Sequence, residues 1–189
     1  MLHSSWPELI HTWHDFYLLV GTASATLVGL MFVAASIGAQ VFTEKNRAGM
    51  RAFISPTVVH FSAVLFVCIL AAIPSHTPVT LAALLALVAL AGAVYSARVW
   101  IALFVRRSFD VDVVDRLFYA LIPIVGYLLM LLSACTLLVQ SGLALDLLAA
   151  ALIILLLAGI RNAWDMMTWI VIRTPVTVAD EGRDPRPQA

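Results

Sequence analysis

The chain has 189 residues, of which 62% are hydrophobic and 12% are charged, and its mean hydropathy is +1.00. Soluble domains contain about 25% charged and about 45–50% apolar residues, and a chain this short cannot bury so large an apolar excess in one core. Eleven basic residues balance eleven acidic ones, so the basic excess of a nucleic-acid-binding protein is missing. The composition predicts an all-α, polytopic membrane protein whose solvent is the lipid bilayer.

Five continuous apolar runs are long enough to cross a bilayer as helices, which takes about 20 residues each. Continuous runs do not fit the alternating strands of a membrane β-barrel. The predicted spans cover residues 15–39, 53–73, 78–104, 117–139 and 143–172. Together they predict a single helical bundle over residues 1–173. The polar, Pro-rich tail 174–189 is predicted to be disordered.

Before the first span, the sequence places a group of possible metal ligands. His11, His14 and Asp15 are spaced so that one helix face carries all three, and two imidazoles with a carboxylate suit Zn²⁺ or a similar divalent ion. The glutamate of a metalloprotease HExxH motif is absent here. Binding of a divalent metal cofactor, pH sensing, and a solvated or helix-capping role therefore all remain open for these residues.

The first span carries a stripe of small residues at every fourth position. Gly21, Ala25 and Gly29 form this stripe, and small residues let two membrane helices approach closely. The partner helix is either another span of the same chain or the same span of a second copy. The stripe therefore predicts tight helix packing and leaves open whether the protein is a homo-oligomer.

Polar side chains inside the spans form a second candidate site. His60 lies inside the second span, and Arg98 lies inside the third. The fifth span contains Arg161, Asn162 and Asp165, of which the first and last can pair across one helical turn. At 1.5 Å of rise per residue, the ionisable groups lie about 12–18 Å from the basic residues Arg51, Arg106 and Arg173 that flank their spans. We refer to the five residues as the inner polar layer.

The inner polar layer has three interpretations. Ionisable groups inside a membrane are costly and are candidates for function by default, so the layer could line a cavity or pore, or act in catalysis. Arg98 and Arg161 also lie close enough to the ends of their spans to extend their side chains to the interface, which is a structural role. His60 has no such position, and it is either a proton-linked switch or a histidine hydrogen-bonded within the bundle.

The connection between the third and fourth spans is acidic. Asp110, Asp112 and Asp115 lie in it, but the glycine and the final glutamate of a calcium-binding loop are absent. We therefore interpret this connection as a solvated linker.

The basic residues predict the orientation of the bundle. In a five-span arrangement all of them fall on one side, in or beside the first and third connections and at the end of the chain. They are Lys45, Arg47, Arg51, Arg98, Arg106, Arg107, Arg116, Arg161, Arg173, Arg183 and Arg186. The positive-inside rule then places the N terminus outside and the C-terminal tail in the cytoplasm.

Two short motifs stand out, WHDFY at 13–17 continuing into GTASATLVGLMF at 21–32, and RNAWD at 161–165. They resemble the first and last helices of a group of uncharacterised small bacterial membrane proteins, and the order and spacing of the helices are similar as well. The resemblance implies a multi-pass protein of the bacterial inner membrane. It implies no activity, but it marks these two stretches as the first places to look for one.

The sequence contains no nucleotide-binding loop, no GxSxG motif and no CxxC motif, which favours a protein without enzymatic activity. Our leading hypothesis is a homo-oligomer whose subunits together line a channel-like path for ions or small solutes. The second is an accessory or regulatory protein that binds a partner membrane protein. The third is a metal-dependent membrane enzyme or metal-binding protein that uses His11, His14 and Asp15.

Overall fold

The computed structural model describes residues 6–38, 47–105, 117–139 and 141–173. All regular structure in these residues is helical, which confirms the predicted all-α fold. The elements are α1 (Trp6–Gly38), α2 (Arg47–Ala72), α3 (Pro78–Val105), a π-helical turn (Leu117–Leu121) that continues into α4 (Ile122–Leu138), and α5 (Ala144–Arg173). The acidic connection and the tail 174–189 lie outside the described residues.

Four stretches of the described chain have the length and composition to cross a membrane. They are Glu8–Ser36, Pro78–Ile101, Leu117–Leu138 and Ala144–Thr168, and the described apolar part of α2, Pro56–Ala72, is shorter. Large hydrophobic side chains such as Leu19, Phe32 and Leu87 are mostly exposed. A continuous apolar exterior of this kind is suited to lipid rather than to water, as expected of a multi-pass membrane protein.

The first helix begins earlier than the apolar run indicates. It starts at Trp6 rather than at Asp15, because Trp6, Leu9 and Trp13 already pack against the core. Asp15 therefore lies inside α1, with its side chain exposed, and a role at the N terminus of the helix is ruled out for it. Polar residues between Trp6, Leu9 and Trp13 interrupt the apolar run, so the apolar face of this first part of α1 is not visible as a continuous run in the sequence.

Two tight turns make neighbouring helices antiparallel. The turn between α2 and α3 ends at Thr77, whose Oγ1 accepts a hydrogen bond from the backbone N–H of Thr80 at 3.2 Å, and Pro78 occupies the first helical position, as the sequence predicts. The turn between α4 and α5 is held by Ser141, whose N–H donates to the carbonyl of Thr136. Both turns lie at one end of the bundle, which we call the hairpin end.

The start of α1 also lies at the hairpin end. The indole N–H of Trp6 donates a hydrogen bond to the backbone carbonyl of His76 at 3.0 Å, which ties the beginning of the chain to the α2–α3 turn. The opposite end contains the end of α1, the beginning of α2 and the last turns of α3 and α5. We call it the basic end, because the basic residues of the sequence flank it.

The fifth helix is the centre of the packing, and the first is at its edge. In an apolar 18-residue stretch of α5 50% of the residues are buried, against 28% in the corresponding stretch of α1. Helix α2 packs against α1, α3 and α5, while α4 packs against α3 and α5. Close contact between α3 and α4 depends on Gly92, because a Cβ atom at this position would overlap the ring of Tyr127. Tyr127 is fully buried, so its ring fills the space that the glycine leaves.

Replacing Gly92 by alanine should therefore destabilise the bundle. Overpacking of this kind costs about 1–3 kcal/mol, measured as the free energy of unfolding in mixed micelles titrated with a denaturing detergent. The matched control is Gly29→Ala, because a Cβ at Gly29 meets nothing within 4 Å and alanine favours the helix. Equal effects of the two substitutions would contradict the close α3–α4 contact.

Candidate functional site

His60 lies at the centre of the bundle, with none of its surface exposed. A hydrogen bond of 3.0 Å joins its Nδ1 atom to the hydroxyl group of Tyr127 on α4. The ring of Tyr95 on α3 meets the imidazole edge to face, with 6.4 Å between ring centroids. The other ring nitrogen, Nε2, is buried and has no hydrogen-bond partner among the described residues. His60 thus joins three helices and keeps one polar atom unpaired.

A second buried polar contact joins α5 to the irregular start of α4. In the π-helical turn each carbonyl bonds five residues ahead, and for Phe118 that position is Pro123, which has no N–H. Asn162 on α5 supplies the missing donor, because its Nδ2 group donates to the carbonyl of Phe118 at 3.2 Å. The hydroxyl of Tyr119 in turn donates to the backbone carbonyl of Asn162 at 3.1 Å. Asn162 is therefore fully buried for a structural reason.

Arg161 and Asp165 form an ion pair across one turn of α5. Their side chains are 35% and 27% exposed, so the pair lies at the edge of the bundle rather than in its core. The guanidinium carbon of Arg161 also lies 5.5 Å from the centre of the Phe118 ring. A charge paired in this way and partly exposed is far less costly than an isolated charge in the core.

The inner polar layer is thus divided into parts with different environments. His60 and Asn162 are fully buried and have different partners, Tyr127 on α4 and Phe118 in the π-helical turn before it. Arg161 and Asp165 pair with each other at the edge, and Arg98 is exposed. The side chains at the very end of α5 and in the acidic connection lie outside the described residues.

Structure adds residues that the sequence did not single out. Tyr127 provides the partner of His60, and Ser96 on α3 is fully buried with an Oγ atom that has no partner among the described residues. Thr57, a hydroxyl-bearing residue that the sequence already places one turn before His60, is also fully buried. A tyrosine or serine inside an apolar run is a weak signal, because each is also common in ordinary helix packing.

Only the first residue of the small-residue stripe packs against another helix of the described chain. Gly21 is buried, and a Cβ added there would lie 3.1 Å from that of Cys68 on α2, so this position serves packing within the chain. Ala25 and Gly29 are exposed. A surface groove of about 450 Å³ runs between α1 and α2, lined in part by Gly21, Ala25 and Tyr17.

The three possible metal ligands His11, His14 and Asp15 lie at the surface of α1. His11 is exposed, and Nδ1 of His14 lies 3.6 Å from a carboxylate oxygen of Asp15, whose side chain is fully exposed. Within the described residues, no three His, Cys, Asp or Glu side chains are grouped so as to hold a metal ion. The described residues therefore contain no preformed metal site at His11, His14 and Asp15.

Comparison with known protein families, with curated proteins and with solved structures finds no match to this chain. None of the described polar groups has the arrangement of a nucleophile and its base. What they offer instead is a set of hydrogen-bonding atoms, deep in an apolar bundle, with unused capacity at His60, Ser96 and Asn162.

Replacing Tyr127 by phenylalanine should destabilise the protein. The substitution keeps the ring and leaves Nδ1 of His60 without its partner, which costs about 1–2 kcal/mol in the free energy of unfolding. Tyr17→Phe is the matched control, since the Tyr17 hydroxyl is equally buried but has no partner among the described residues. A control at least as destabilising as Tyr127→Phe would contradict the importance of the His60 hydrogen bond.

Proposed function

We propose that this protein is a non-enzymatic, multi-pass protein of the bacterial inner membrane that provides a path for an ion or small solute. The observation that carries the proposal is His60, which is fully buried between helices and has an unpaired ring nitrogen. An ionisable residue such as histidine is costly inside a membrane span, and such residues mark substrate or ion pathways and proton relays.

We also propose five spans, with the N terminus outside and the C-terminal tail in the cytoplasm. The hairpin end contains the start of α1 and both tight turns, and the connections there contain no Lys or Arg. The basic residues flank the other end, which the positive-inside rule assigns to the cytoplasm. In this orientation the inner polar layer lies in the cytoplasmic half of the bundle.

The burial of the polar groups favours a path within one chain rather than between subunits. His60 and Asn162 have no exposed surface, so a second copy cannot reach them without rearrangement. Between α2, α3, α4 and α5, the described polar side chains that are buried lie mainly from the level of His60 towards the basic end. They are Thr57, His60, Ser96, Tyr119, Tyr127 and Asn162.

The other half of the same interface is apolar and closed. Val64, Met130, Leu148 and Leu152 are fully buried there. The buried hydroxyl in this half, that of Ser133, is already bonded to the carbonyl of Ala144 at 2.6 Å. We interpret the polar half as an inlet on the cytoplasmic side and the apolar half as a seal on the outer side. Because the polar groups of the inlet are themselves buried, the structure corresponds to a closed state of the path.

The proposal predicts solute flux that depends on the Arg161–Asp165 pair. Reconstituted vesicles should admit at least one of potassium, chloride, urea or glycerol faster than empty vesicles. Arg161→Glu places two like charges one turn apart at the mouth of the inlet and should change this flux several-fold. The double variant Arg161→Asp with Asp165→Arg keeps an ion pair and should restore it. Stopped-flow light scattering and ion-selective electrodes give the rates.

The matched control is Arg98→Glu, because Arg98 is exposed and its reversal should leave the flux unchanged. Protease added to sealed vesicles reports the orientation of each molecule through cleavage of the tail. Vesicles that admit none of the four solutes would contradict the path. An Arg161→Glu variant that only fails to fold would show that the ion pair is architectural.

A second candidate function is self-association or partner binding through α1. Ala25 and Gly29 are exposed, and Gly29 has open space around it, although small residues on membrane helices usually permit close contact with another helix. The groove between α1 and α2 adjoins the same stripe. We propose a second copy of this chain as the helix that covers it.

This candidate predicts a homo-oligomer that is sensitive to the size of residue 29. Gly29→Leu should convert the oligomer to monomer in native mass spectrometry of the protein in nanodiscs, without loss of stability, because no described residue occupies that space. Leu30→Ile, a change of shape at a neighbouring exposed position, is the control. A wild-type monomer would contradict self-association, and a stoichiometric foreign protein would favour the accessory role.

A further inference from the structure

We propose that His60 and Ser96 form a binding site for a small, uncharged, hydrogen-bonding molecule. The inference rests on the proposed path and narrows its cargo from ions or small solutes to neutral solutes. It is carried by the geometry around His60 and by the charges that face it.

The position of Ser96 follows from the packing of α3. Gly92 lies against the ring of Tyr127, and Ser96 is the next residue on that helix face, one turn towards the basic end. Tyr95, its neighbour in the chain, contacts the His60 ring. The Oγ atom of Ser96 and the Nε2 atom of His60 therefore belong to the same part of the interface, and both are buried without a partner among the described residues.

Neither tautomer of His60 removes the unmet hydrogen bond. If the Tyr127 hydroxyl donates to Nδ1, then Nε2 carries an N–H group that has no acceptor. If Nδ1 carries the hydrogen and donates to the hydroxyl oxygen, then Nε2 is an acceptor without a donor. A buried polar group left in this state costs about 1–3 kcal/mol, and such groups normally hold an ordered water or a ligand.

The charges of the described residues argue that the ligand is neutral. Among the described residues, Tyr127 hydrogen-bonds to His60 and the rings of Tyr95 and Tyr127 contact it, and neither tyrosine carries a charge at neutral pH. Arg161 and Asp165 neutralise each other, and Arg98 is exposed. An ion next to His60 would therefore be a buried charge without a counter-charge, which is far more costly than a buried neutral molecule.

The hydrogen-bonding capacities of Ser96 Oγ and His60 Nε2 indicate the class of ligand. The Ser96 hydroxyl can donate and accept a hydrogen bond, and Nε2 does one or the other, depending on the tautomer. A molecule that can both donate and accept hydrogen bonds would therefore satisfy both atoms. Water is the smallest such molecule, and it serves as the probe of the site.

Solid-state NMR of the full chain in lipid bilayers, with ¹⁵N-labelled histidine, tests the proposal. The His60 signal is assigned by its shift in the Tyr127→Phe variant. We expect a neutral imidazole at neutral pH and rapid magnetisation transfer from water to Nε2. Ser96→Ala, which removes one of the two partners of the water, should slow this transfer by about twofold or more. Ser133→Ala should leave it unchanged, because the Ser133 hydroxyl already has a partner.

A His60 ring that receives no magnetisation from water in the wild-type protein would overturn the proposal, and so would a charged imidazolium at neutral pH. The wild-type measurement stands even if a serine variant fails to fold. If the vesicles admit a solute but His60 receives no magnetisation from water, the proposed path stands and the binding site at His60 is refuted. If His60 is hydrated and neutral but the vesicles admit none of the solutes, the binding site stands and the path is refuted.

Discussion

The structure depends on the position of one tyrosine. The ring of Tyr127 occupies the space that Gly92 leaves on α3, and its hydroxyl reaches His60 on α2, so three helices meet at a single side chain. In a lipid environment apolar contacts between helices bring little net gain, and close packing and interhelical hydrogen bonds set the arrangement. The closed apolar half and the polar half of the bundle both begin at this residue.

Much of the helical fold is predictable from the sequence, because local features of the chain determine where the helices form. A run of about 20 apolar residues must form a helix in lipid to satisfy its own backbone, and Thr77 with Pro78 marks the start of α3 in the sequence. The beginning of α1 was not predictable by span length alone. Trp6 and Leu9 are interrupted by polar residues, and their contribution to the core becomes visible only once the helix faces are known.

The sequence predicts which polar residues lie inside the bundle, but it does not predict which of them contact each other. His60 and Asn162 were expected to share a polar layer, since their heights along the spans are similar. Their partners depend on the rotation of each helix, which sequence spacing does not determine. Asn162 faces Phe118 because Pro123 removes a backbone donor from the π-helical turn. His60 faces Tyr127 because Gly92 admits the ring.

The bond between Asn162 and Phe118 also has a consequence for biosynthesis. The two residues are 44 positions apart, which is roughly 2–9 s of translation at about 5–20 residues per second. During that interval the carbonyl of Phe118 in the π-helical turn lacks its Asn162 donor. This contact therefore forms only after the chain has been synthesised as far as Asn162 on α5.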